Sequence, residues 1–191
     1  MIHELSKRIN TLLSRKRIIK DELSEVYVYG TELFLSFILT SAVILTLGAI
    51  SNMIIETLLY MIQFIGIRRL VGGFHAKTYL RCFICTVSFF SLTMVLSKFC
   101  RLPLAVHIVI AIAGSTIILL WGPIENEHKK ISVEKKQKFK LFGTIVYGLS
   151  GLISCMLSVS QIHLCDIITY TLMMISVLMI IPLIGRRVKN V

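Results

Sequence analysis

RRLVGGFHAKTYLRC, residues 68–82, decides how this chain folds. The apolar runs on either side of it are short. Residues 57–67 give 11 uncharged positions after Glu56 and residues 82–97 give 16, where a helix crossing a bilayer wants about 20. If both runs cross, the chain has six spans and this polar stretch shares a side with both termini. If neither crosses, four spans remain and the stretch moves to the opposite side.

The rest of the chain favours six. Of the 191 residues 55% are apolar and only 16% are charged, with a mean hydropathy of +0.82, against about 25% charged in soluble domains. The expectation is an all-α polytopic membrane protein, a single integral-membrane domain over residues 1–191. No linker, internal repeat or low-complexity segment divides it. Uncharged or nearly uncharged runs fall at 33–49, 52–67, 82–97, 102–122, 141–160 and 167–184, and we read them as transmembrane or re-entrant helices. The first 30 residues are too polar for a signal peptide and are expected to be retained.

Charge supports this reading. A net charge of +11 can mark nucleic-acid binding, but in so apolar a chain basic residues collect in the cytoplasmic loops of a bilayer protein. With six spans, Lys7, Arg8, Arg15, Lys16, Arg17, Lys20, Arg68, Arg69, Lys77, Arg81, Lys129, Lys130, Lys135, Lys136, Lys138, Lys140, Arg186, Arg187 and Lys189 share one side. Only Lys98 and Arg101 fall opposite. That bias predicts a multi-pass protein of the cell membrane with both termini cytoplasmic, no nucleic-acid partner, and residues 123–140 as a basic cytoplasmic loop.

Within residues 1–30, Ile2, Leu5, Ile9, Leu12 and Leu13 recur at helical spacing, with Lys7, Arg8, Ser14 and Arg15 on the remaining faces. This predicts an amphipathic helix. It either lies in the membrane interface, its apolar stripe against lipid and its cations against headgroups, or packs on the body of the protein.

The chemistry concentrates in residues 68–82. Five cysteines stand at 82, 85, 100, 155 and 165. Cys82 and Cys85 form a single C-x-x-C inside an apolar run, with no second pair to complete a tetrahedral shell, so neither a metal nor another cofactor is expected. Buried in apolar runs, most of these thiols read as small hydrophobes. Cys82 differs, because it follows Arg81 at a polar–apolar boundary near Lys77, Arg68 and Arg69, and positive charge favours thiolate. Of the five histidines only His75 shares its segment with a cysteine; His3 and His128 sit in polar segments, His107 in an apolar run and His163 near the far surface.

Imidazole is the usual base for a cysteine nucleophile. On one straight helix, seven residues would hold the two side chains about 10.5 Å apart, beyond hydrogen-bond reach. A working pair therefore needs a break, which Gly72 and Gly73 supply; their amides are also candidates to donate to an oxyanion. Glu56, acidic within an apolar stretch, is either functional or the end of a loop. Two other classes compete, a small transporter and a non-catalytic sensor. Transporters usually spread polar residues through several spans or show repeats, whereas here they gather in one segment.

Taken together, Arg68, Arg69, Gly72, Gly73, His75, Ala76 and Cys82 match the pattern RRxxGGxHAxxxxxC, which resembles the signature of the accessory gene regulator B family. The likeness extends to chain length, to the basic amphipathic start, to Tyr29-Gly30-Thr31-Glu32, and to GPIENEHKKIS at 122–132 with Pro123, Asn126 and Lys130. The resemblance implies a membrane cysteine endopeptidase that processes the precursor of a cyclic quorum-sensing peptide, with residues 68–82 as catalytic loop, Cys82 as nucleophile and His75 as general base and acid. It implies a propeptide partner with an acidic C-terminal tail, contact with membrane lipid, and a homodimer. Arg68, Arg69, Lys129, Lys130, Lys135 and Lys136 are then candidates to hold the tail, unless these charges serve membrane topology alone.

Overall fold

The computed structural model describes residues 2–15, 24–72, 78–124, 132–160 and 162–189. Seven helices account for almost all of them: α1 (Ile2–Arg15), α2 (Ser24–Ile50), α3 (Ile54–Val71), α4 (Tyr79–Phe99), α5 (Leu104–Trp121), α6 (Val133–Val159) and α7 (Leu164–Lys189). No β-strand occurs among the described residues; a lone parallel bridge joins Gly72 to Ile124. The chain is an all-α multi-pass membrane protein.

Every apolar run read from the sequence is a helix, and the short ones are longer than their uncharged cores. α4 starts three residues before Cys82, capped by Thr78, whose hydroxyl accepts from the Arg81 amide at 3.4 Å. Its 21 residues reach about 31 Å, enough for a hydrocarbon core of about 30 Å. Helical hydrogen bonding carries on through the flanking polar residues, whose long side chains reach back to water. α2 likewise begins at Ser24, inside the segment read as the polar N-terminus. Residues 68–71 and 79–82 belong to α3 and α4.

Five helices, α2 and α4 to α7, are long and apolar enough to cross a membrane. α3 falls outside that group because Glu56, Arg68 and Arg69 lie along its 18 residues. It instead turns one face inward, burying Thr57, Tyr60, Gln63, Phe64, Ile67 and Val71. Tyr60 stacks on Phe64 at 5.2 Å and meets the edge of Phe90 from α4, and the Gln63 amide donates to the Ile168 carbonyl at 3.1 Å. α7 is the central post, contributing Ile167, Ile168, Leu172, Ile175, Leu178 and Met179 to the same core. Outside, Phe34, Phe37, Ile62, Val109, Ile112, Leu152 and Met156 remain exposed. So much uncovered apolar surface is what lipid solvates.

α2 and α3 meet in a tight antiparallel turn at Asn52, whose φ of 54° is left-handed. Gly48 lets them close, since a Cβ there would stand 2.1 Å from the Thr57 hydroxyl. α1 combines the two arrangements expected of it. Ser6 and Asn10 are buried, and Asn10 Nδ2 donates to Thr31 Oγ1 of α2 at 3.2 Å. Leu5 and Leu12 of the apolar stripe stay exposed while Ile9 and Leu13 are half-buried, so the polar edge and part of the stripe pack on the protein and the rest of the stripe faces outward.

Candidate active site

Cys82 is the fourth residue of α4 and half-buried. Its amide donates to the Thr78 carbonyl at 3.0 Å, and its carbonyl accepts from Thr86 Oγ1 at 2.8 Å, so the backbone is held on both sides. Because Cα–Cβ bonds tilt toward a helix N-terminus, the thiol leans back toward the first turn. There the amide dipoles favour an anion. Cys85 follows one turn later and is also half-buried.

Arg68, in the last turn of α3, faces this helix. Its guanidinium lies 5.2 Å over the Phe64 ring and within electrostatic range of both the Cys82 and Cys85 sulfurs. A cation stacked on an aromatic ring keeps its orientation. Arg69 is exposed.

The break between α3 and α4 is real. Gly72 ends α3 with φ 74° and ψ −152°, and its N–H donates to the Arg68 carbonyl at 2.9 Å. That bond occupies the Gly72 amide. The turn is pinned from outside as well: the Ile124 amide donates to the Val71 carbonyl at 3.0 Å, just after the cis bond between Gly122 and Pro123. A Cβ on Gly72 would stand 2.4 Å from the Ile124 oxygen. The segment after α3 is thus tied to the segment after α5, which leads into the basic stretch. Gly73 and His75, with Ala76 and Lys77, lie outside the described residues, as do Lys129 and Lys130. Lys135 and Lys136 occupy the first turn of α6, Lys135 exposed and Lys136 half-buried.

One polar link escaped the sequence reading. Glu32 is buried on α2 and pairs with His3 of α1, while its carboxylate also accepts from the Tyr79 hydroxyl at the head of α4. Three helices therefore meet on one carboxylate, three residues ahead of Cys82. Tyr79→Phe removes a hydrogen bond to a charged acceptor and is expected to cost about 1.5–3 kcal/mol, read as a lower midpoint of thermal unfolding in detergent; an unchanged midpoint would refute the link. The hint in the sequence was Glu32 standing just before an apolar run, but nothing there names partners 29 and 47 residues away.

Five helices long and apolar enough to cross a membrane, and a capped helix that carries a half-buried thiol at its head within electrostatic range of an arginine, define the class: a polytopic membrane protein. The family comparison agrees, for a model of the accessory gene regulator B family matches residues 6–181. The chain belongs to that family. It is 30% identical over 175 residues to an AgrB-like protein of Clostridium beijerinckii, covering 90% of this chain and 82% of that one. It is also 26% identical over 150 residues to AgrB-like protein 2 of Clostridium perfringens, covering 72% and 68%. No solved structure matches the chain. Family membership connects the protein to the processing of an autoinducing propeptide.

Proposed function

We propose that this protein is a membrane cysteine endopeptidase that removes the C-terminal tail of the propeptide and releases the remainder as a ring. The observation that carries the proposal is the placement of Cys82, half-buried at the head of a capped helix with Arg68 in electrostatic range. His75 takes the thiol proton. The thiolate attacks a backbone carbonyl of the propeptide, and the tetrahedral oxyanion gains from the helix dipole and from Arg68. Collapse expels the tail as a free amine, protonated by His75, and leaves a thioester on Cys82. A side-chain thiol or hydroxyl of the propeptide then attacks that thioester, giving a thiolactone or lactone and restoring the Cys82 thiol. The acyl bond stays activated throughout, so no nucleotide is consumed, provided water is kept from the thioester. A site at the membrane edge meets that need.

The basic end of the bundle lies, in this reading, on the cytoplasmic side, where the acidic tail of the propeptide is met. Lys135 and Lys138 on the exposed start of α6, with Lys129, Lys130 and Arg69, attract it over a distance. Reversing Lys135 and Lys138 to Glu is expected to weaken processing several-fold, at about 0.2–1 kcal/mol per exposed charge, with the difference shrinking as salt rises. Equal processing at every ionic strength, with equal membrane levels, would remove the tail-binding role.

The test of the whole is reconstitution. Purified protein in anionic vesicles, given synthetic propeptide and no nucleotide, should release the tail and a ring-closed product in equal amounts. Intact propeptide after long incubation with correctly folded protein would count against endopeptidase activity.

A further inference from the structure

At the end of the bundle away from Cys82, the buried residues include His107 of α5 and Asp166, Cys165 and Thr169 of α7, with Ser154 of α6 among them. Three short contacts run through this group. His107 Nδ1 lies 2.6 Å from Thr169 Oγ1, Thr169 Oγ1 lies 2.6 Å from Ser154 Oγ, and Ser154 Oγ lies 2.9 Å from the Cys165 carbonyl. His107 Nδ1 is also 3.0 Å from Ser154 Oγ.

Each of the three contacts needs one proton between its heavy atoms. The two hydroxyls supply one each, and the chain ends on a carbonyl, which supplies none. Placing the third proton on Nδ1 satisfies all three, with the ring donating to Thr169, Thr169 to Ser154 and Ser154 to Cys165. This is the tautomer assigned to His107.

In the neutral ring Nε2 is then a bare lone pair, and two acceptors stand beside it. The Leu102 carbonyl is 3.3 Å away and Asp166 Oδ1 3.7 Å away. Oδ1 already accepts from the Leu102 amide at 3.1 Å, and Asp166 Oδ2, fully buried, has no hydrogen-bond partner. Lone pairs converging in a buried site call for a cation between them. A nitrogen of His107, the Cys165 sulfur and a carboxylate oxygen of Asp166 lie within 4.8 Å of one another.

We propose that His107, Cys165 and Asp166 bind one divalent transition-metal ion, zinc by their mixed nitrogen, sulfur and oxygen donors. Tetrahedral zinc sets such donors about 3.3–3.8 Å apart, from bonds of about 2.0–2.3 Å, and Nε2 and Oδ1 already stand at 3.7 Å. A neutral imidazole, a thiolate and a carboxylate around a divalent ion carry no net charge, which suits a buried position. Binding releases the Cys165 thiol proton to solvent and forms metal–nitrogen, metal–sulfur and metal–oxygen bonds. The ion clamps the head of α5 to the head of α7, far from the cysteine site, so its presence is independent of the peptidase reading.

The experiment uses full-length protein, stripped with a chelator in detergent and titrated with Co²⁺ and Zn²⁺. One Co²⁺ per chain should bind with a thiolate-to-cobalt charge-transfer band, and Zn²⁺ should displace it. Cys165→Ser should abolish the band, while a Cys82→Ser, Cys85→Ser double variant keeps it. A Thr169→Val, Ser154→Ala double variant leaves every ligand in place but removes both hydroxyls within reach of Nδ1, and should weaken binding roughly 10–100-fold. Folded protein that takes up no cobalt, or a band that survives in Cys165→Ser, would overturn the site. So would ring ¹⁵N shifts showing His107 protonated on both nitrogens, since a proton would then be the missing cation.

Discussion

Cys82→Ser protein, present in the membrane at normal levels, should leave its propeptide uncut, with processing reduced on the order of 10³-fold or more. Serine keeps the size of the side chain and the helix around it, so the backbone bonds through Thr78 and Thr86 persist. What it loses is acidity, because the alcohol does not ionise under a nearby base and arginine as a thiol does. Cys85→Ser is the matched control. Cys85 sits one turn along α4, equally half-buried and also within electrostatic range of Arg68, yet it is displaced from the first turn where the dipole acts. It should retain most of the activity. If the Cys85 variant were dead and the Cys82 variant active, the nucleophile would have to be reassigned.

The second large effect is expected at Gly72. Its φ of 74° and ψ of −152° lie in a region essentially confined to glycine, where any other residue costs about 1–3 kcal/mol. The new Cβ would also press into the Ile124 carbonyl at 2.4 Å, which is backbone and cannot swing aside as a side chain would. Gly72→Ala should therefore break the bond between Ile124 and Val71 and release the turn that precedes His75. We expect total helix content to hold while processing falls more than tenfold and the thermal midpoint drops. Gly66→Ala is the comparison, because a Cβ there meets nothing within 4 Å. In a helix interior that change is neutral or stabilising by about 0.5–1 kcal/mol. Equal behaviour of the two variants would show that the Gly72 geometry is dispensable.

The sequence spoke clearly where a pattern was local. Hydropathy marked six helices, and helical spacing marked α1, because both signals repeat within a few turns. It was ambiguous at α3, whose Glu56, Arg68 and Arg69 lower its hydropathy. The reason emerges only in three dimensions: α3 buries Tyr60, Gln63 and Phe64 against α4 and α7, so one face meets protein while Ile55, Leu58 and Ile62 stay exposed. The packed polar edge of α1 was equally hidden, since burying Ser6 and Asn10 reverses the usual expectation for small polar residues. At the cysteine site, Gly72 announced a turn but not the bridge to Ile124, 52 residues on. His107 stood out as a histidine in an apolar run, and its partners Ser154 and Thr169 looked like ordinary helix residues. Long-range pairing of polar groups leaves no period in the chain, and these contacts are all of that kind.

The proposed reaction passes through a covalent bond between the propeptide and Cys82. Intact-protein mass spectrometry of reconstituted protein, quenched in acid soon after mixing with propeptide, reads it directly. The prediction is a mass gain equal to the propeptide minus its C-terminal tail, mapped to Cys82 and discharged by hydroxylamine as a thioester must be. Cleavage that proceeds at full rate with no adduct on Cys82 at any time, or with the adduct on another residue, would contradict it.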